Sequence, residues 1–189
     1  SISSSYANEV VLNPSWDLDR LDQTTTSLDG QYVKPPVRSE CKTLHVVTVQ
    51  DDTPELDTLL TSALNSCVDL KYYYAGYSYS YPMSGVISAL DDVRSASSPG
   101  DVVLIRPTYS ANSQFDSAVY SLSQTGVMIA VAAGSDNANA CNYSPQRVSD
   151  IYTVGDSSVT DGQGHFNNYG SCIDAYAPAS FSGAGAANA

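Results

Sequence analysis

Val127 to Ala133 reads VMIAVAA, seven apolar residues in succession between Gly126 and Gly134. A strand with one wet face alternates apolar and polar residues; a run without a polar position is expected of a central parallel strand covered on both faces. Outward toward the N-terminus, Phe115, Ala118, Val119 and Leu122 mark a helix that Gly126 ends. Before it Asp101 to Arg106 (DVVLIR) is a strand, and before that Met83, Val86, Ile87, Leu90 and Val93 repeat with helical spacing after Pro82. Cys67 to Tyr74 is a further strand. Thr53-Pro54-Glu55 offers an N-cap, a first-turn proline and a first-turn acid to a helix carrying Leu56, Leu59, Leu60, Ala63 and Leu64, and His45 to Gln50 (HVVTVQ) is a β-branched run before it. On the C-terminal side Ile151 to Val154 and Ile173 to Tyr176 are shorter strands. Strand and helix alternate, so the fold class is α/β: a doubly wound, mostly parallel sheet with right-handed crossovers and helices on both faces.

The chain has 189 residues, 42% apolar and 15% charged. That suits one domain of ordinary size and is too apolar for a disordered chain. No apolar run approaches the roughly 18 residues of a membrane span. Residues 1–40, polar and punctuated by Pro14, Pro35 and Pro36, read as an extended arm carrying the single tryptophan, Trp16. Residues 41–180 read as the α/β domain and 181–189 (FSGAGAANA) as a flexible Gly/Ala-rich tail. Ser1 follows no basic-then-apolar leader, so any targeting peptide is expected to have been removed or never included. Eight Lys plus Arg face twenty Asp plus Glu, a net charge of −12. Such a surface repels nucleic acid and anionic lipid and welcomes cations. Four cysteines, an even number without C-x-x-C spacing, suit two disulfides and a secreted protein; buried thiols in a reducing compartment are the alternative.

Several stretches resemble the subtilisin-like serine proteases, specifically the proteinase K branch. Trp16 to Gln23 (WDLDRLDQ) is similar to that family's N-terminal W-G-L-x-R-I-D-Q. Gly126 to Gly134 (GVMIAVAAG), Asn137 to Pro145 (NANACNYSP), Tyr152 to Gly155 (YTVG) and Asn167 to Pro178 (NNYGSCIDAYAP) resemble its later segments. The resemblance is strong over 82–178 and patchy before, and it implies a reduced form of the subtilase fold.

Acyl transfer in that family needs a Ser nucleophile, a His base, an Asp orienting the His, and an oxyanion donor. Aligned by the resemblance, Gln50 falls where the family's D-T-G aspartate ends the first strand, with Asp51 one residue late. Ser135 follows Ala132-Ala133-Gly134 where the oxyanion Asn is expected, and Gly185 in Ser182 to Ala186 falls at the nucleophile. Tyr72 to Tyr81 (YYYAGYSYSY) runs into the next helix where H-G-T-H is expected, and Leu104 to Pro107 replaces the substrate-pairing S-L-G-G. Gln50, Ser135 and Gly185 are thus expected to be degenerate positions, and no residue is expected to be catalytic.

The resemblance also implies a Ca²⁺ site from the backbone oxygens of Ser149 and Ile151 and the carboxylate of Asp174, chemistry suited to a hard cation; pairing of Asp174 with a helix end or Arg147 is the alternative. It implies a Cys141–Cys172 bridge, as in bacterial members of the branch, which leaves Cys41 and Cys67 to pair. His45, at the start of a strand, is expected to be structural. His165, in a polar loop near Ser171 and Asp174 in sequence, lacks the strained nucleophile elbow that would support a new triad. The adjacent acids Asp51/Asp52 and Asp91/Asp92 face different ways on any regular element and read as solvated surface. Tyr77, Tyr79 and Tyr81 alternate with Ser, a pattern suited either to a binding surface or to sealing the shortened segment. Asn142-Tyr143-Ser144 is a glycosylation sequon followed by Pro145.

The expectation is a secreted, catalytically inactive subtilase-like protein, not an enzyme, that binds a protein, matrix or mineral partner through Tyr77, Tyr79 and Tyr81 or its acidic surface. The alternatives are a serine endopeptidase fragment completed by another chain or segment, and a decoy for protease propeptides or inhibitors. Calcium is the one cofactor implied; nucleic acid and membrane are excluded as partners.

Overall fold

A computed structural model describes residues 9–36, 40–77, 81–164 and 166–178. Tyr79, His165, Gly185 and the tail 181–189 lie outside the described residues, so their expected roles find no structural counterpart. In chain order the elements are β1 (Val10–Leu12), α1 (Trp16–Arg20), β2 (Gln31–Val33), β3 (Thr43–Thr48), α2 (Thr53–Ala63), β4 (Asp69–Tyr74), α3 (Met83–Ala96) and β5 (Val102–Ile105). They continue with β6 (Tyr109–Ser110), α4 (Ser113–Ser123), β7 (Met128–Ala132), β8 (Tyr143–Ser144), β9 (Tyr152–Ser157) and β10 (Ala175–Pro178). Six strands form one parallel sheet in the order β10-β9-β7-β5-β3-β4. The chain leaves β3 toward β4 on one side and returns across it to β5 on the other, so the order reverses between β3 and β5.

One face of the sheet is sealed. Val47, Val103, Ile105, Ile129 and Val131 pack there against Val86, Leu90 and Val93 of α3 and Phe115, Val119 and Leu122 of α4. Asn112 caps α4, its side-chain oxygen accepting from the N–H groups of Gln114 and Phe115, both at 3.0 Å. Gly126, at φ +87°, then makes the left-handed turn into β7. On the other face Leu56 and Leu60 of α2, with Leu64 just beyond it, cover Leu44 and Val46 of β3, Leu70 and Tyr72 of β4 and Leu104 of β5. Ala130 of β7 lies at the margin of that cover. Here the structure departs from the reading of VMIAVAA as covered on both faces. Ile129 and Val131 are buried, whereas Met128, Ala130 and Ala132, pointing the other way, keep partial exposure.

The arm is less extended than its prolines suggest. β1 and β2 form an antiparallel ribbon, and five residues make α1, too few for helical periodicity to show. The Tyr32 hydroxyl donates to Ala63 O at 2.8 Å and the Asn65 amide to Pro35 O at 3.0 Å, fastening the arm to the end of α2. Its other anchor is Arg20, 9% exposed, whose guanidinium donates to the carbonyls of Thr25, Thr26 and Val159 and lies 3.4 Å from Asp161. Disulfides join Cys41 to Cys67 and Cys141 to Cys172, with Cα separations of 4.9 and 5.3 Å. The first ties together the entries of β3 and β4; the second ties the segment after β7 to the segment before β10.

Candidate functional site at the carboxyl edge of the sheet

In open α/β sheets ligands bind at the carboxyl ends of the strands, where the strand order reverses. Here that edge carries the residues after β3, β4, β5 and β7. Val49 is buried and Gln50 is exposed, in a turn of 3-10 helix over Gln50–Asp52 that runs straight into α2. The Gln50 N–H donates to Gly76 O at 2.9 Å, and Ala75 N–H donates to Thr48 O at 2.9 Å, so the exits of β3 and β4 are locked together. Arg106 follows β5; its N–H donates to Val47 O at 3.0 Å and its guanidinium to the Thr48 hydroxyl at 3.2 Å. This half-buried cation stands at the reversal point between β3 and β5, where the sequence showed only a motif replaced.

After β7 the chain turns through residues 133–138. Gly134 adopts φ +90°, and a Cβ on it would come 2.6 Å from Asn168 Nδ2, so only glycine fits. Asn168 is fully buried and organises the turn. Its Nδ2 donates to Ala133 O at 2.8 Å, and its Oδ1 accepts from Asp136 and Ala138 N–H, both at 3.0 Å. Asn137 N–H donates to Phe166 O, and the pair Ala140/Tyr169 continues the lacing toward the Cys141–Cys172 bridge. Ser135 is left exposed, with no hydrogen-bond partner among the described residues. Gln50 and Ser135 therefore share one edge of the sheet but sit two strand spacings apart, about 10 Å. Sequence reasoning passed over Asn168; the signal available was a pair of asparagines directly before Tyr169-Gly170, a polar insertion with no surface role to play.

The other singled-out residues lie elsewhere. His45 is fully buried at the amino end of β3, on the opposite edge. Asp101, also buried, accepts from Ser98 N–H at 2.8 Å, Thr43 N–H at 3.1 Å and His45 Nε2 at 3.3 Å. Burial pushes the Asp101 carboxyl up, but the two backbone donors and His45 outweigh it and hold the group below the usual carboxylate value. The other ring nitrogen of His45, Nδ1, lies 2.9 Å from the Tyr73 hydroxyl, so the imidazole is hydrogen-bonded on both sides. Ser149 and Ile151 precede β9, and Asp174 precedes β10, so the calcium candidates gather at this amino edge too. Asp174 Oδ2 accepts from Thr153 N–H at 2.7 Å; Oδ1 has no hydrogen-bond partner among the described residues. No cluster of three or more His, Cys, Asp or Glu side chains able to hold a metal exists among the described residues, so an ion here would rest on carbonyl oxygens, one carboxylate and water. Tyr77 is exposed, whereas Tyr81 is half-buried, edge-on to Tyr109 at 5.6 Å between ring centroids, and its carbonyl accepts from the Tyr109 hydroxyl. Burial, with Tyr81 beside it, pushes the Tyr109 hydroxyl up to about 12. No helix of the described residues is long and apolar enough to cross a membrane.

No protein-family model matches the chain. It is 44% identical over 97 residues to alkaline serine exoprotease A of Vibrio alginolyticus, covering 51% of this chain and 18% of that protein. It is 45% identical over 103 residues to proteinase R of Parengyodontium album, 53% of this chain and 26% of that one. Over 196 aligned residues it is 29% identical to the extracellular serine proteinase of Thermus sp. strain Rt41A, 87% of this chain and 48% of that protein. It spans less than half the length of each of these curated relatives. Among solved structures, a cold-adapted subtilisin-like serine proteinase superposes with a TM-score of 0.75 at 29% identity, covering 88% of this chain and 72% of that one. These findings overturn the expectation that the chain is not an enzyme. The proteins it matches are named as proteases, and the expectation weighed single positions in a chain that spans only part of those proteins. Its relatives, and the solved structure it superposes on, are subtilisin-like serine proteases.

Proposed function

We propose that this chain supplies the parallel sheet and carboxyl-edge loops of a secreted subtilisin-like serine endopeptidase, completed by a further segment of the same protein or by a second chain. One observation carries the reading: 88% of this chain superposes on a solved proteinase of that class while only 72% of the proteinase is matched. The strand order reverses between β3 and β5, with Arg106 at that point, and the same edge carries a turn held by Asn168. Acyl transfer there requires a nucleophile, a base and an oxyanion donor converging on one carbonyl, and the completing segment would contribute to that set. Secretion is supported by the two disulfides and by the extracellular relative from Thermus. A calcium ion at the Ser149 and Ile151 carbonyls and Asp174 would brace the entries of β9 and β10.

The test combines the chain with the part of the cold-adapted proteinase that has no counterpart here, made as a separate polypeptide. Turnover of a fluorogenic peptide and covalent labelling by a serine-reactive phosphonate are expected from the combination. Neither appearing from a folded, associated pair would overturn the reading. Turnover by the chain alone would place the machinery within these 189 residues.

A further inference from the structure

We propose that the cleft between α4 and the segment joining β8 to β9 binds the free carboxyl terminus of a peptide ending in an apolar residue, with Arg147 as its anion-binding group. The cleft has a volume of about 380 Å³ and is lined by Asp116, Ser117 and Tyr120 of α4 and by Arg147, Val148 and Ser149. That volume lies within the roughly 300–1,000 Å³ of small-ligand sites, room for one or two terminal residues. None of its lining residues belongs to the carboxyl-edge loops, so the proposal stands apart from the endopeptidase reading.

A surface arginine ordinarily loses affinity to the ordering of a flexible side chain. Arg147 is already ordered. Its Nε donates to Asp116 Oδ2 at 2.6 Å, and the Asp116 side chain, in the first turn of α4, is only 17% exposed. Asp116 Oδ1 is buried without a hydrogen-bond partner, so a single bond joins the pair. Both terminal nitrogens of the guanidinium therefore have no partner among the described residues. A planar fork whose donors are fixed in direction matches the two oxygens of a carboxylate, and such charge-assisted bonds are stronger than neutral ones. Ser117 and Tyr120, one helical turn apart on the flank of α4 that faces the cleft, add two hydroxyls with no partner among the described residues. The Tyr120 ring, 47% exposed, and Val148 supply apolar surface beside the guanidinium. A carboxylate and an apolar group borne on one carbon are what the last residue of a peptide presents. A doubly charged phosphate fits less well, because a chain of net charge −12 repels it more strongly than a single carboxylate.

The experiment titrates the full chain and follows its amide chemical shifts, with a chelator present so that no calcium ion bridges the probe to the Ser149 carbonyl. The probes are N-acetyl-alanyl-phenylalanine with its carboxylate free, the same dipeptide as its amide, and inorganic phosphate. Saturable shifts at Ser117, Tyr120, Arg147 and Val148 are expected from the free carboxylate. The amide and phosphate should bind at least about tenfold more weakly. Arg147→Gln, at an exposed position, should weaken the carboxylate at least about tenfold; Arg147→Lys, which keeps the charge and loses the fork, should weaken it less. No saturable shift at millimolar concentration, equal binding of the amide or of phosphate, or binding that survives Arg147→Gln would each overturn the site.

Discussion

Asp101→Asn tests whether the amino edge of the sheet is held by a charge. The carboxylate receives three donors, from the Thr43 N–H on β3, the Ser98 N–H in the turn before β5, and His45 Nε2 in the core. A hydrogen bond to a charged group contributes about 1.5–3 kcal/mol, but an amide oxygen still accepts, so the three losses do not add. The new NH₂ group must face at least one donor. Repulsion there and the weaker neutral bonds together should cost about 2–4 kcal/mol, a drop in Tm of roughly 5–15 °C for a chain of this size. The pH dependence supplies the sign. The folded carboxyl lies below its ordinary value, so its contribution is complete above the unfolded value and disappears as pH falls through the folded one. Calorimetry should show the gap between wild type and variant in full at neutral pH and its narrowing as the pH falls into the acid range. A variant melting within about 1 °C of wild type at neutral pH, or a gap unchanged across the acid range, would refute the reasoning.

Three further outcomes are expected. Gly85→Ala, inside α3, should destabilise by about 2–4 kcal/mol although Ala ordinarily favours a helix by about 1 kcal/mol, because its Cβ would overlap the Ala75 carbonyl oxygen and force α3 off the end of β4. A rise in Tm would show that α3 packs less closely than described. Asn168→Ala, which removes both the acceptor for the Asp136 and Ala138 N–H groups and the donor to Ala133 O, should cost about 2–4 kcal/mol and speed amide exchange over residues 134–138; unchanged exchange there would count against Asn168 holding the turn. If calcium binds at Asp174, saturating calcium should raise Tm by about 5–10 °C and a chelator reverse it, and Asp174→Ala should abolish the response; a response that survives the substitution places the ion elsewhere.

What the sequence disclosed follows from where the information is local. Val86, Leu90 and Val93 on α3 and Phe115, Val119 and Leu122 on α4 display their packing face in their spacing, so these helices and the mostly parallel sheet they cover were legible, though not the order of its strands. The arm's helix was not, since its five residues offer barely one turn of periodicity and are held by contacts such as Arg20 to Val159 across 139 positions. VMIAVAA shows the limit of patterning most plainly. An apolar run records what a strand is built to touch, and cannot say whether the touching group lies in the same segment of chain. Ile129 and Val131 meet α3 and α4; Met128 and Tyr152 meet solvent. Judging activity from Gln50, Ser135 and Gly185 failed for the same reason, because catalysis belongs to a convergence of groups in space, and part of that convergence can be carried by residues outside the run being read. Periodicity reports the alternation of faces in β7 and β9, but only the position of α2, which covers β3, β4 and β5, decides that Met128 and Tyr152 on that face stay exposed.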